Sequence, residues 1–308
     1  MKRIVIGAIA IAAVSVATEA MAQSPKVRRG KPLHVGLMLG ASNYQGDLTT
    51  SVAWNETKPA GGLICRYDLN YMFTLRGSAM FGTISGSDKN YDDDPGRARR
   101  NLSFRSNVVE FSGQLEWNLF GYESDPNTRA RSPYLFAGVG VYKFNPKAYF
   151  EYDPAIFSQG PNAIDPNGEL AKYDGKWVEL QPLGTEGQET TKYNDKRRYG
   201  LTQVSIPIGF GFKTQLNEDW ALGIEAGVRK TFTDYLDDVS SIYVDDQIVG
   251  GAYGYLAVAM KDRAREVGQE SFANDNPRGN NNNKDWYMFL GFTLTRPIVG
   301  GKTTCFQF

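Results

Sequence analysis

Apolar and polar residues alternate with period two in eight segments of the chain, which is typical of β-strands with one apolar face. The clearest segment has an apolar face made of Val109, Phe111, Leu115, Trp117 and Leu119. Its other face is polar and consists of Glu110, Ser112, Gln114, Glu116 and Asn118. The remaining segments lie at about 33–44, 63–71, 73–81, 134–144, 203–212, 220–231 and 286–295. The pattern therefore predicts eight strands.

The connections between these segments alternate in length. The short connections are 70–72, 120–133 and 214–219, and the long ones are 45–61, 85–105, 145–200 and 233–285. Outer-membrane barrels have short periplasmic turns and long extracellular loops, and about 9–11 tilted residues cross the bilayer. We predict an all-β fold, an eight-stranded antiparallel transmembrane β-barrel of the outer membrane with long extracellular loops and both termini periplasmic.

The first 22 residues predict an export signal. Lys2 and Arg3 precede an apolar run over 4–17, and Ala20 and Ala22 form a small-residue cleavage pattern. A transmembrane helix needs about 20 residues, and this apolar run is shorter. We therefore expect a cleaved signal peptide over 1–22 and an outer-membrane barrel with its loops over 23–308.

Composition agrees with this interpretation. The 34 basic and 34 acidic residues cancel, so nothing in the charge points to nucleic acid as a partner. Aromatic residues make up 13% of the chain and lie near strand ends, where a membrane barrel places interfacial girdles. The expected girdle residues are Phe73, Phe81, Trp117, Tyr122, Trp220, Phe232 and Tyr235. An ordinary aromatic core is the alternative.

The predicted inward faces carry charges of both signs. They are Arg66, Asp68, Arg76, Glu110, Glu116, Glu225 and Arg229. An eight-stranded barrel is just wide enough for side chains to fill, and buried charges persist when they are paired. We expect a barrel-interior charge network that leaves no open pore.

Signs of catalysis are few. The single histidine, His34, begins the first strand, and no nucleophile or metal-binding motif accompanies it. Cys65 and Cys305 have no metal-binding spacing and are expected to be unpaired thiols. We therefore predict no enzyme activity, no catalytic residue, no cofactor and no metal.

An aspartate-rich stretch, "TDYLDDVSSIYVDD", follows the seventh strand. It lacks the D-x-D-x-D spacing and the glycine of a calcium loop. We expect Asp234, Asp237 and Asp238 to hold the loop structurally, paired with Arg229, Lys230 and nearby backbone. Calcium binding is the alternative.

Three parts of the long loops carry further expectations. The stretch 176–188 is apolar enough to pack over the barrel mouth or against a partner. The stretch 255–268 predicts a short helix that stops at Gly268. The asparagine-rich stretch 276–286 predicts a polar, flexible return to the membrane.

Several motifs resemble the PorG family of the type IX secretion system of Bacteroidetes-type bacteria. They are "NYQGDL" at 43–48, "QPLGTEGQ" at 181–188, "LTQVSIPIGFGFK" at 201–213, "RKTFTDYLDDVSSIYVD" at 229–245, "RGNNNNKDWY" at 278–287 and the ending "CFQF". The resemblance implies an outer-membrane barrel that contacts a periplasmic ring built from a lipoprotein and its partner subunit. It implies no catalytic residue.

The expected function is thus a non-enzymatic barrel that anchors or aligns the secretion ring, with outer-membrane lipid and the ring subunits as partners. The alternatives are a generic outer-membrane barrel outside the secretion system, including a small-molecule pore, and a membrane-embedded hydrolase. A ring contact would use 120–133, 23–32 or 297–308. Charge reversal at Arg129 and Arg131 is expected to weaken it if the 120–133 turn is used.

Overall fold

The computed structural model describes residues 33–91, 93–122, 130–159, 163–217 and 219–299. The predicted signal peptide, Cys305 and Arg129 lie outside these residues.

Ten strands form one antiparallel sheet. They are β1 (Leu33–Gln45), β2 (Lys58–Asp68), β3 (Phe73–Ser87), β4 (Ser103–Asn118), β5 (Arg131–Lys143), β6 (Pro146–Phe150), β7 (Lys176–Glu179), β8 (Thr202–Gln215), β9 (Ala221–Thr231) and β10 (Trp286–Val299). All eight predicted strands are present. The sequence pattern missed β6 and β7.

Eight of these strands close into a barrel. Their order is β3-β2-β1-β10-β9-β8-β5-β4, and β4 pairs back onto β3. The first and last strands of the barrel, β1 and β10, pair from Leu33↔Val299 to Gln45↔Trp286. Closure leaves the sheet no free edge within the barrel. The predicted eight-stranded antiparallel barrel is confirmed.

Two tight turns use the same asparagine chemistry. The Asn70 side-chain oxygen accepts hydrogen bonds from the backbone N–H groups of Met72 and Phe73, each at 2.8 Å. Asn217 does the same for Asp219 and Trp220, at 3.0 and 2.9 Å. An asparagine oxygen can satisfy backbone donors two or three residues ahead, which fixes a reversal of the chain. These turns and the ends Leu33 and Val299 lie at one edge of the barrel, the terminal end.

Exposed apolar side chains cover the outside of all eight barrel strands. Two examples from each strand are Leu37, Leu39, Leu63, Tyr67, Leu75, Phe81, Phe111, Leu115, Leu135, Val139, Ile208, Phe210, Leu222, Ile224, Leu290 and Phe292. Each is more than a third exposed, and Leu39 and Phe111 reach 65%. The barrel is therefore apolar outside and polar inside, the reverse of a soluble protein.

Five of the seven aromatic residues expected in the girdles point outward, and two do not. Phe73, Phe81, Trp117, Trp220 and Phe232 point outward and are exposed. Tyr122 is instead buried, with the Lys213 ammonium 4.7 Å from its ring centre. Tyr235 stacks on Tyr199 at 4.7 Å between ring centres. Both tyrosines lie outside the period-two part of the strands, so sequence position alone did not fix their direction.

The four long connections fold together over the other edge of the barrel. The described residues of this cap are 46–57, 88–91, 93–102, 144–159, 163–201 and 232–285. Its helices are α1 (Pro95–Arg100), α2 (Pro154–Phe157), α3 (Asp246–Tyr253) and α4 (Tyr255–Lys261). Among the described residues, no helix has both the length and the apolar character to cross a membrane.

The helix predicted over 255–268 is shorter than expected. It ends at Lys261, and a 3-10 turn over Ala264–Val267 follows it. Gly268 does stop that turn, with a left-handed φ of 72° that glycine adopts at little cost. Asp262 interrupts the helix because its carboxylate accepts the backbone N–H groups of Ala264 and Phe272, at 3.0 and 2.7 Å.

Candidate functional site

A buried ion network fills the middle of the barrel. The Arg76 guanidinium donates two hydrogen bonds to the Glu225 carboxylate, at 2.6 and 2.8 Å. Arg66 Nε donates to Glu116 Oε1 at 2.8 Å, and Arg76 also lies 3.4 Å from that oxygen. The Tyr134 hydroxyl donates to Glu225 at 2.8 Å. Paired, bidentate contacts are what make buried charges tolerable.

Lys213 is a fifth charged member that the sequence interpretation missed. Its ammonium lies 3.0 Å from Glu116 Oε2, and its side chain is buried. The inward direction of Lys213 could have been predicted from the sequence, because the inward positions Ser205 and Gly209 of β8 continue with period two to Lys213. The network thus holds three cations and two carboxylates.

The other three inward charges form two separate pairs. Asp68 lies 3.3 Å from His34 Nε2 and accepts a 2.7 Å hydrogen bond from Thr74. Glu110 Oε2 lies 3.4 Å from Arg229 Nε and accepts a hydrogen bond from the Tyr287 hydroxyl. All seven predicted residues are thus buried inside the barrel, in three groups rather than one.

Side chains fill the lumen between and around these groups. Ser78, Ser112 and Gln114 join in hydrogen bonds of 2.7 Å between the central network and the Glu110–Arg229 pair. A cavity of about 10 Å³, bordered by His34 and Lys213, lies near the terminal end. That is room for no more than a single water.

The three signature aspartates each have different partners in the cap. Asp238 accepts the hydroxyls of Thr185 and Tyr199, at 2.6 and 2.7 Å. Asp237 accepts the Tyr44 hydroxyl at 2.6 Å, and Asp234 accepts the Ser240 hydroxyl at 2.7 Å. Within the described part of the chain, no cluster of three or more His, Cys, Asp or Glu residues is arranged to hold a metal ion.

The expected pairing of these aspartates with Arg229 and Lys230 is wrong. Arg229 points into the barrel toward Glu110, and the Lys230 ammonium lies 5.7 Å from the Trp286 ring centre. Arg229 occupies an inward-facing position of β9, so its side chain points into the barrel and cannot also reach the aspartate loop. Of the three aspartates, Asp238 pairs instead with a cation from a distant segment, at 3.7 Å.

That cation is Arg278, which lies in the stretch expected to be flexible. Its guanidinium donates to Glu186 at 3.1 Å and to the Asp238 backbone carbonyl. Glu186 in turn accepts the backbone N–H groups of Ser240 and Ser241, at 2.8 and 3.0 Å. Arg278 is only 2% exposed, so this part of the 276–286 return is a fixed cross-link within the cap.

Segment 176–188 packs over the mouth of the barrel, which is one of the two arrangements predicted for it. Val178, Leu180 and Glu186 are buried, whereas Trp177 stays exposed on the outside. The "QPLGTEGQ" motif therefore supplies Glu186 and Thr185, the two residues that bind the aspartate loop.

Burial shifts the pKa of several cap carboxyls upward. Desolvation raises the pKa of Asp234 to about 7 and that of Asp238 to about 6. For Asp238, the nearby Arg278 opposes this effect. Desolvation also raises the pKa values of Asp237 and Asp285, and each is raised further by a neighbouring aspartate, Asp47 for Asp237 and Asp237 for Asp285.

The contacts of the Tyr44 hydroxyl favour a proton in this cluster. The Tyr44 hydroxyl lies 2.6 Å from Asp237 Oδ2 and 3.1 Å from Asp285 Oδ1. A hydroxyl has one proton to donate, so two separate hydrogen bonds, one to each carboxyl, require one of the carboxyls to be protonated. The second oxygens accept backbone N–H groups of Val239 and Leu236, each at 2.9 Å. The Tyr44 hydroxyl thus joins β1 to the aspartate loop and to the chain just before β10.

Two solved structures are similar to this chain at low sequence identity. Ail of Yersinia pestis, the attachment invasion locus protein, is 8% identical with a TM-score of 0.36, and the match covers 86% of this chain and 99% of Ail. OprG of Pseudomonas aeruginosa is 8% identical with a TM-score of 0.35, covering 87% and 97%. At such scores, the barrel architecture rests on the strand pairings themselves.

A search of the curated proteins finds no match. One family model, described as "Domain of unknown function (DUF6089)", matches residues 21–162 and 183–257. These two ranges span most of the chain and include all of the barrel except β10. The chain belongs to the DUF6089 family.

Proposed function

We propose that this protein is a sealed β-barrel of the outer membrane with a structural rather than a catalytic role. The observation that carries the proposal is the apolar outside of all eight strands around a polar, ion-paired interior. In β4, the outward apolar positions run from Val109 to Trp117. This length suits a bilayer, which a tilted strand crosses with about 9–11 residues. Trp117 and Trp220, both exposed near the terminal end, suit the interface with the headgroups.

The filled lumen argues against a pore. Arg66, Arg76, Glu116 and Glu225 occupy the centre of the barrel, and the cap covers its mouth. An ion entering the barrel would have to separate paired charges at a high cost in free energy. His34, the one candidate for hydrolase chemistry, pairs with Asp68 beside a cavity of about 10 Å³, which has no room for a substrate.

Two measurements test this proposal. Density-gradient fractionation of the expressing cells is expected to place the full chain in the outer membrane. In planar bilayers, the purified protein is expected to give no stable conductance steps. Reproducible steps of one size from folded protein would contradict the sealed lumen, and recovery in the soluble fraction would contradict the membrane location.

We infer further that the barrel anchors or aligns the periplasmic ring of a type IX secretion system. The support is the resemblance of its motifs to the PorG family, which runs over most of the chain. The orientation that export predicts would put the terminal end in the periplasm, where a ring could reach it. Arg131, exposed at the start of β5, belongs to the longest turn at this end.

Co-purification tests the anchor. The ring lipoprotein and its partner subunit are expected to co-purify with the barrel from detergent-solubilised outer membrane. Charge reversal at Arg129 and Arg131 is expected to lower their recovery. Reversal of Lys89 and Lys284, two lysines of the cap at the opposite end, is the matched control. Normal secretion after gene deletion, with no ring subunit recovered, would contradict the anchoring role.

A further inference from the structure

One side of the barrel wall continues beyond the apolar belt. β4 pairs with β5 and then with β6 in a single register, from Val109↔Lys143 to Arg105↔Lys147. β7 extends this wall by pairing with β6, which places Tyr149 opposite Trp177. Side chains that point outward on these strands therefore extend the lipid-facing surface of the barrel.

Three basic residues and two aromatic residues lie together on this outward face. Arg105, Lys143, Lys147, Tyr149 and Trp177 form what we call the basic wall. Arg105 and Lys147 are direct cross-strand partners. Lys143 precedes Lys147 by four residues, which is roughly 13 Å along the strand direction. The Arg105 guanidinium lies 5.7 Å from the Trp177 ring centre, and the two aromatic rings lie 5.5 Å apart.

The basic wall begins where the apolar surface ends. Val109 and Val141 point outward and are 38% and 49% exposed. Phe81, the partner of Val109 on β3, is 55% exposed and completes this upper row. Lys143 is level with that row, and Arg105 and Lys147 lie four residues beyond it along the strands. In a membrane, this height is the headgroup layer.

The charge of the wall is only partly compensated. Glu179 lies 2.9 Å from the Lys147 ammonium, and their side chains are 49% and 39% exposed. Such an exposed pair is weak and leaves Lys147 free to exchange partners. Glu56, on the far side of β3, is already bound by Ser85 and Asn90. The wall therefore keeps a net positive charge.

We propose that the basic wall binds the phosphate groups of a phosphorylated glycolipid in the outer leaflet. Arginine and lysine side chains bind phosphate oxygens through charge-assisted hydrogen bonds, and basic clusters beside a membrane attract anionic headgroups. Tyr149 and Trp177 supply flat apolar surfaces against which sugar rings of the headgroup pack. This inference rests on the proposed membrane location of the barrel.

The experiment compares two lipids that differ only in phosphate. The full chain in detergent micelles is titrated with lipid A carrying two phosphates and with the same lipid after removal of its phosphates, and binding is measured by thermophoresis. Wild type is expected to bind the phosphorylated form at least roughly tenfold more tightly. The triple variant Arg105→Gln, Lys143→Gln, Lys147→Gln is expected to lose this preference.

Two further variants sharpen the comparison. The control triple variant Lys89→Gln, Lys192→Gln, Lys284→Gln removes the same number of charges from other parts of the cap and is expected to keep the preference. Glu179→Gln removes the acidic neighbour of Lys147 and is expected to increase affinity for the phosphorylated lipid. Far-UV circular dichroism confirms that each variant is folded.

Equal binding of the two lipids by wild type would overturn the proposal, as would equal losses in both triple variants. Competition by inorganic phosphate at the concentration of the lipid would also overturn it, because the site would then take a free anion. Fractionation of the cells remains a separate readout. A barrel absent from the outer membrane defeats the proposed location, whereas a barrel present there without phosphate preference defeats only the basic wall.

Discussion

At the scale of single residues, Arg76 and Glu225 show why the lumen is sensitive to chemistry as well as volume. Both side chains are fully buried, and two hydrogen bonds of 2.6 and 2.8 Å join them. The Arg76 guanidinium also lies 4.8 Å from the Phe136 ring centre, so it has little room to find another anion. Each charge is stabilised mainly by the other.

Glu225→Gln keeps the shape of this side chain and removes its charge. We expect a loss of about 3–5 kcal/mol in the free energy of unfolding, because the Arg76 charge is left buried with only Glu116 to balance it. The measurement is urea unfolding of the barrel in lipid vesicles.

The control is Asp219→Asn, which breaks the pair of Asp219 and Arg296 at 3.4 Å. These side chains are 60% and 56% exposed, so a change of about 0–1 kcal/mol is expected. Equal effects of the two substitutions would show that burial does not govern the lumen network.

At the scale of elements, a glycine pair lets two strands accommodate an aromatic ring. Gly209 of β8 and Gly227 of β9 are direct partners and face inward. A Cβ atom on Gly227 would lie 2.8 Å from the tip of the Phe136 ring, and one on Gly209 would lie 2.4 Å from it. The ring fills the space that two missing side chains leave, beneath the Arg76 guanidinium.

Gly227→Ala is therefore expected to destabilise the barrel by about 1–3 kcal/mol through overpacking against Phe136. Gly113→Ala on β4 is the matched control, because a Cβ there meets nothing within 4 Å. We expect the control to change stability by less than about 1 kcal/mol. The measurement is thermal unfolding of both variants in the same detergent. A larger loss of stability in Gly113→Ala than in Gly227→Ala would contradict the overpacking against Phe136.

Period two predicted the barrel strands well because an apolar outside and a polar inside impose opposite demands on alternate residues. The alternation ends where the apolar belt ends. Beyond it, β3 runs on to Ser87 with Thr83 and Ser85 covered by other loops, so the strand continues without the pattern. The β6–β7 pair was missed because these strands are only five and four residues long, too short for a period-two pattern to stand out.

At the scale of the whole molecule, the cap is a folded layer held by contacts between residues far apart in the chain. Seven lumen charges could be found from strand phase alone. The Glu186–Arg278 pair, by contrast, joins loop residues 92 positions apart, and no periodicity relates them. The aspartate signature was visible in the sequence, but its partners Thr185, Tyr199 and Arg278 were not.

The cap is expected to loosen as pH rises. The pKa of Asp234 is raised from 3.8 to about 7, so the folded cap binds this proton more tightly than the unfolded chain does. Its contribution to stability is complete below pH about 4 and is lost as pH approaches and passes 7. Ser240, Asp47, Lys284 and Glu186 are the groups that act on this carboxyl.

Hydrogen exchange of the 232–285 amides at pH 5 and pH 8, corrected for intrinsic rates, measures this effect. Protection is expected to be greater at pH 5, and Asp234→Asn is expected to reduce the difference. Asp195→Asn, at an exposed cap position, is the control and should leave it unchanged. Equal protection at the two pH values in wild type would contradict the prediction.

The pairing of β1 with β10 also has a consequence for folding kinetics. The barrel cannot close until β10 has been made and has found β1, so this seam of thirteen residue pairs forms between distant parts of the sequence. Topologies dominated by such distant contacts fold slowly. Until closure, β1 exposes an unpaired edge that can aggregate. The Tyr44–Asp285 contact lies at one end of that seam, so its appearance would mark the meeting of β1 with the start of β10.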